Sequence, residues 1–240
     1  MQLIEKLYKD SSFTITADIF SKYSKVMKQN CYRLIRVINN VVDMNKVEVG
    51  FLKLQLKNDN IIKIIEDSTL SIVEYAKLKD INVIFDTEIE EKITAFDEEQ
   101  FERIMLNLLS NSIKFTEPGG NVDVNIYDRK EYILISVKDT GSGIPDNMLE
   151  KVFDTFTQVD ASLRRQAEGS GIGLSLVKSF VEMHEGKITA RSQLGIGSEF
   201  IIKLPIKLVE SGLNANKHKA SDLNYNSSNT KIEFSDIYFD

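Results

Sequence analysis

Phe20, Met27, Leu34 and Val41 recur every seven residues through FSKYSKVMKQNCYRLIRVINNVVDMNK, residues 20–46, beside a more polar row of Ser24, Cys31, Ile38 and Asn45. One apolar stripe of that length predicts a helix that packs in a two- or four-helix bundle. A short helical piece, residues 2–9, precedes it, and no strand pattern does. Residues 1–49 are therefore expected to be a partial helical dimerisation hairpin, with a homodimer formed through residues 20–46. The plainer alternative is a core helix of a globular domain.

From residue 50 to 207 the period switches repeatedly. Ile61, Ile64, Ile65, Leu70, Ile72 and Val73 predict a helix over 60–79, and INVIFD (81–86) alternates as a strand. DEEQFERIMLNLLSNSIKF (97–115) reads as a helix capped by Asp97. After the EPGGN turn, VDVNIYD and YILISVKD predict neighbouring strands. A loop rich in Gly, Ser and Asp (139–171) leads to a helix over 172–184, and GKITARS and SEFIIKLP flank a turn at Gly195–Gly197. The expected fold class is α/β: a two-layer α/β sandwich, with a mixed, mostly antiparallel sheet covered by helices, preceded by the helical hairpin. Residues 208–240 are polar and aperiodic until KIEFSDIYFD (231–240). They read as a flexible tail whose end docks on a partner or packs back on its own domain.

Composition narrows the possible functions. A chain of 240 residues, 42% of them hydrophobic, can bury one good core plus an appendage. A net charge of −6 without a basic block argues against a nucleic-acid partner. The single cysteine, Cys31, permits no internal disulfide and fits a reducing compartment. The two histidines, His184 and His218, are distant in sequence, so Cys31 reads as a helix-packing residue rather than a metal ligand. No apolar run reaches the length of a membrane span, and MQLIEKLYKD lacks a signal-peptide core. No membrane contact by this chain is expected, and a cytoplasmic location is, for the chain or for the part of a membrane-attached parent that carries it.

Four stretches carry candidate chemistry. In NLLSNSIKF, Asn107, Asn111 and Lys114 share one helix face while Leu108, Leu109 and Ile113 turn inward. Amide oxygens suit a hard cation and an ammonium suits phosphate, but the face also reads as simply solvated. KDTGSGIP ends an apolar strand with an acid and two glycines, either a ligand-accepting site or an ordinary Asp-Gly turn. EGSGIGLSLVKSF places Gly169, Gly171 and Gly173 before an apolar helix, whose unpaired N–H groups and positive dipole end suit phosphate. It has neither the GK[ST] ending of a P-loop nor a strand directly before it. GIGSEF (195–200) opens a strand with a second glycine pair, or is a plain hairpin turn.

Together and in this order, NLLSNSIKF, DTGSGIP, FDTF and EGSGIGL resemble the ATP-binding catalytic domain of sensor histidine kinases, in the superfamily that includes DNA gyrase, Hsp90 and MutL. The resemblance covers residues 50–207 and implies ATP and Mg²⁺ as ligands. It implies that Asp139 receives the adenine amino group and that Gly141, Gly143 and Ile144 form the wall of the adenine pocket. Asn111, assisted by Asn107, would hold Mg²⁺, Lys114 would contact phosphate and Phe115 would cover the adenine ring. Phe153 and Phe156 would anchor a mobile lid, from which Arg164 or Arg165 reaches the phosphates. Gly169, Gly171 and Gly173 would supply backbone N–H groups, while Gly195, Gly197 and Ser198 close the far side. Asn111, Lys114, Arg164 and Arg165 are the residues implied to act in catalysis.

The family's phosphoacceptor, a histidine usually followed by an acid, an arginine, a threonine and a proline, has no counterpart here. Residues 1–19 resemble the end of the acceptor helix and its loop, and residues 20–46 the whole second helix. His184, in VEMHEG, reads as a helix C-terminal cap, and His218 lies in the polar tail. The expectation is the ATP-binding half of a two-component histidine kinase, with its phosphoacceptor and a response regulator outside this chain. A nucleotide-binding module that regulates a partner kinase without phosphotransfer is the alternative.

Overall fold

The computed structural model describes residues 17–157, 170–210, 230 and 232–235. The described residues open with helix α1, Ala17–Glu48, about 48 Å long at 1.5 Å per residue. It realises the helix expected over 20–46, while the expected piece at 2–9 lies outside the described residues. Its end is set locally. The Phe51 N–H donates to Lys46 O at 2.8 Å and the Gly50 N–H to Val47 O at 3.0 Å, and Gly50 has φ +69. This left-handed stop satisfies the last carbonyls and favours glycine.

Strand β1 (Lys57–Asn60) follows and pairs antiparallel with β3 (Ile93–Phe96). The helix expected over 60–79 is two helices, α2 (Ile61–Ser71) and α3 (Val73–Leu78). Thr69 Oγ1 donates to Ile65 O at 2.7 Å and Ser71 Oγ to Ser68 O at 2.8 Å. Such back-bonding weakens a helix at its end, and the chain breaks at Ile72.

The second sheet has the order β2-β4-β5-β7-β6, from β2 (Asn82–Thr87), β4 (Asn121–Asp128), β5 (Tyr132–Asp139), β6 (Lys187–Gln193) and β7 (Gly197–Pro205). Only β2–β4 is parallel; the other three pairings are antiparallel. Val122, Val124, Ile126, Ile133, Ile135, Val137, Ile202 and Leu204 turn to one face and are buried. Helices α2 and α3, α4 (Glu98–Phe115) and α5 (Gly173–Met183) cover that face. The architecture is the expected two-layer α/β sandwich.

Capping positions α4 as the sequence indicates. Asp97 Oδ1 accepts the Gln100 N–H at 3.1 Å, and Oδ2 accepts the Gln55 N–H at 2.7 Å. At the other end Lys79 donates to Ile113 O at 3.0 Å and Lys114 O at 3.4 Å. An ammonium on the last carbonyls complements the helix dipole.

Helix α1 meets this domain with its polar side. Arg103 Nη2 pairs with Asp43 Oδ2 at 2.7 Å, and Gln29 and Asn40 are buried. The seven-residue stripe faces outward: Phe20, Met27, Leu34 and Val41 are all exposed. Cys31, expected to pack, is exposed as well.

The described parts of the region read as a flexible tail contact the rest of the chain. Val209 exchanges hydrogen bonds with the Asn58 side chain at 2.8 and 2.9 Å. Near the C-terminus Phe234 is fully buried, 5.0 Å from the Tyr75 ring. Gln29 Nε2 donates to Ser235 O at 2.6 Å and Arg36 Nη1 to Glu233 O at 2.7 Å. Residues 230 and 232–235 thus pack back on their own chain, between α1 and α3.

Candidate functional site

The four sequence stretches converge on one pocket. Asp139, Gly143 and Ile144 line it from the end of β5 and the loop beyond, Ser198 and Phe200 from β7. Asn107, Ser110, Asn111, Lys114 and Phe115 line it from α4, and Ser170, Gly171, Gly173 and Leu174 from the approach to α5. Asn40 and Arg36 of α1 also line it, as does Thr157.

Asp139 is 5% exposed and firmly oriented. Its Oδ1 accepts the Gly141 N–H at 2.9 Å and the Ser198 N–H at 3.2 Å, and Ser112 Oγ donates to Oδ2 at 3.4 Å. A carboxylate fixed this way is an acceptor for an amino group of defined direction. Around it the loop is stitched to the β6–β7 turn. The Ile144 N–H donates to Ser192 Oγ at 2.7 Å, Ser192 Oγ donates to Gly197 O at 2.6 Å, and the Gly195 N–H donates to Ser142 O at 2.9 Å. Gly143 has φ +70 and a Cβ there would strike Gln193 O, so only glycine fits. Gly141 lies against the Phe115 carbonyl, and Gly197 against the backbone of Asp139.

On α4, Asn107 Nδ2 donates to Arg103 O at 3.2 Å, which leaves its Oδ1 directed away from its own helix. A Cβ at Gly173 would lie 2.6 Å from that oxygen, so the amide stands at the first turn of α5. Among the described residues no side chain caps α5 at Ile172. Its first N–H groups and positive dipole end remain for an anion. Lys114 Nζ lies 5.4 Å from the centre of the Phe115 ring. One acid, oriented amides, two cations and a helix start in one pocket fit the donors and acceptors of a magnesium nucleotide. Asn107 and Asn111 have the right donor chemistry for Mg²⁺.

Other expected residues fall elsewhere. Phe156 is 72% exposed and does not line the pocket. It has φ +63 and its N–H donates to Gly171 O at 3.0 Å. Phe153 is buried, edge-on to Phe200 at 6.2 Å. Gly195 has no atom within 4 Å of where a Cβ would stand. Arg164, Arg165 and Gly169 lie outside the described residues, as does His218. His184 is the C-cap residue of α5, but as a neutral cross-link: its Nδ1 donates to Phe180 O at 2.7 Å and its Nε2 accepts the Asp97 N–H at 3.0 Å. Burial lowers its pKa. Arg36, Asn40 and Ser192 carry no motif and are absent from the sequence reading.

Residues 96–208 match the family described as histidine kinase-, DNA gyrase B- and HSP90-like ATPase. They form a histidine kinase-type ATP-binding domain. The circadian input-output histidine kinase CikA of Synechococcus elongatus is 33% identical over 77% of this chain and 25% of its own length. Hybrid signal transduction histidine kinase D of Dictyostelium discoideum is 34% identical over 84% of this chain and 13% of its own. The chain thus spans a quarter or less of these two relatives. Among solved structures, full-length ShkA in complex with AMPPNP aligns over 85% of this chain and 42% of its own, with TM-score 0.70 and 24% identity. Histidine kinase ThkA in complex with the response regulator protein TrrA aligns over 86% of this chain and 56% of its own, with TM-score 0.67 and 20% identity. These two show the fold. No helix among the described residues is long and apolar enough to cross a membrane.

Proposed function

We propose that this chain is the ATP-binding catalytic core of a two-component sensor histidine kinase, which transfers the γ-phosphoryl of Mg·ATP to a histidine outside residues 1–240. The observation that carries this reading is the pocket in which Asp139, the α4 amides, Lys114 and the start of α5 meet. The roles follow from the chemistry. Asp139 accepts the adenine amino group, and the Gly141–Ile144 loop and Phe115 bound the base. Lys114 and the α5 N–H groups hold phosphate oxygens, and Asn111 with Asn107 ligates Mg²⁺. When bound, the metal neutralises charge on the phosphates. The protein's own part is alignment and electrostatic complementarity, the main demands of phosphoryl transfer. Arg164 and Arg165 are the proposed further phosphate contacts.

Neither histidine of this chain is proposed as acceptor. His184 is buried, with both ring nitrogens in hydrogen bonds, and it ends the helix whose start faces the pocket. The remaining partners are a second copy of this chain, through the stripe on α1, and a response regulator. The test mixes the chain with a histidine-bearing helical hairpin and γ-labelled ATP. Acid-labile label on the hairpin is expected, and none on the isolated chain. Nucleotide binding without transfer to any such hairpin favours the regulatory-module alternative. Label on the isolated chain that is lost in His218→Ala overturns the assignment of the acceptor.

A further inference from the structure

Helix α1 brings to the pocket a face that no motif marks. Asp43, Asn40 and Arg36 share one side of α1 at spacings of three and four residues, and Arg103, Asn107 and Asn111 share one side of α4 at spacings of four. The Asp43–Arg103 ion pair ties the two helices together. Beyond it, Asn40 and Arg36 line the same pocket as Asn107, Asn111 and Lys114.

Asn40 is 2% exposed, and its Oδ1 is buried with no hydrogen-bond partner among the described residues. Buried amide oxygens are almost always paired, because an unsatisfied one keeps its full desolvation cost. Asn40 itself lines the pocket, and a donor brought there by a ligand would relieve that cost. Arg36 is held at the pocket wall by the C-terminal segment: its Nη1 donates to Glu233 O at 2.7 Å, and its Nε lies 4.0 Å from Glu233 Oε2. Among the described residues that line the pocket, it and Lys114 are two cations against the single acid Asp139. The cations suit the anionic part of a ligand and the acid suits its amino group.

Resting on the nucleotide reading of this pocket, we propose that α1 completes the phosphate end of the site. Arg36 contacts a phosphate oxygen, and Asn40 Oδ1 accepts a hydrogen bond from a water on the bound cation. Nucleotide occupancy and the docking of α1 are then linked, each favouring the other.

The test measures binding to the full chain by calorimetry, with Mg·AMPPNP and with adenosine. Asn40→Ala and Arg36→Gln are each expected to weaken Mg·AMPPNP about tenfold, the loss of roughly one charge-assisted bond. Adenosine affinity should stay unchanged. Asn40→Ala should also melt no lower than wild type without nucleotide, because the substitution removes the orphaned oxygen. Hydrogen exchange over residues 33–43 should slow when Mg·AMPPNP is added. Wild-type Mg·AMPPNP affinity in both variants, equal losses for both ligands, or unchanged exchange over 33–43 would each overturn the proposal. If Arg36→Gln does not fold, Asn40→Ala decides. Asp139→Asn separates the two levels. If it binds both ligands as wild type does, the nucleotide reading itself fails. If it loses both while the α1 variants bind normally, only the role of α1 fails.

Discussion

At position 184 one imidazole ring donates through Nδ1 to Phe180 and accepts through Nε2 from Asp97. Only the neutral form does both. Burial is the larger influence and lowers the pKa, opposed by the Phe180 hydrogen bond and the Asp97 charge. The folded value lies below the ordinary 6.5, so the unfolded chain takes up a proton first as the medium acidifies. The contribution of His184 is complete above 6.5 and is lost as pH falls from there through the lowered folded value. Urea midpoints of wild type should fall faster between about pH 7 and 5 than those of His184→Gln, whose amide can keep the acceptor bond. Equal slopes would place the titrating group elsewhere. Asp139→Asn replaces an acceptor-only group with one that presents donors to an amino group. It should weaken ATP binding about ten- to a hundredfold, for a buried mismatch of about 1–3 kcal/mol, with an unchanged circular dichroism spectrum. The meeting of Asp139, Asn107 and Asn111 in one pocket was legible because they lie in contiguous motifs. Arg36, Asn40 and Ser192 were not, because their positions depend on which remote elements pack beside them.

The longest element, α1, was legible as a helix but not in its orientation. Periodicity marked Phe20, Met27, Leu34 and Val41 as the packing face, and that face is the exposed one. The polar side is occupied instead by the catalytic domain and the C-terminal segment. The stripe is thereby left exposed, where the proposed second copy of the chain would pack. Leu34→Glu puts a charge in that seam and should convert a dimer to a monomer in sedimentation, with ATP affinity unchanged. Equal masses for wild type and variant would count against a dimer through α1. Strands β1 and β3 escaped the sequence reading for a different reason. KNDN carries no apolar residue, and its pairing is enforced by Asn60, whose Oδ1 accepts both the Ile62 and Lys92 N–H groups at 3.1 and 3.0 Å. The single helix expected over 60–79 failed where serine and threonine hydroxyls compete for its carbonyls.

Across the whole molecule, the C-terminal segment joins α1 to α3 through Phe234, Glu233 and Ser235. Composition concealed this, because the polar residues 211–229 separate a few anchoring residues from the domain they pack on. Phe234→Ala should cost the docked segment about 3 kcal/mol and speed hydrogen exchange around Gln29 and Arg36. Exchange rates matching wild type would mean the segment contributes nothing to holding α1. The apolar hold on α1 is concentrated at its lower end, where Met44 and Val47 pack on the core, just before the left-handed Gly50. Higher up, the contact is made by Asp43, Asn40, Arg36 and Gln29. Surfaces of this kind lose little when they part, since water satisfies an amide or a guanidinium where it cannot satisfy an isoleucine. Parting the upper helix from the domain would therefore expose no greasy wound, since above residues 44–50 it is held by contacts that solvent can replace.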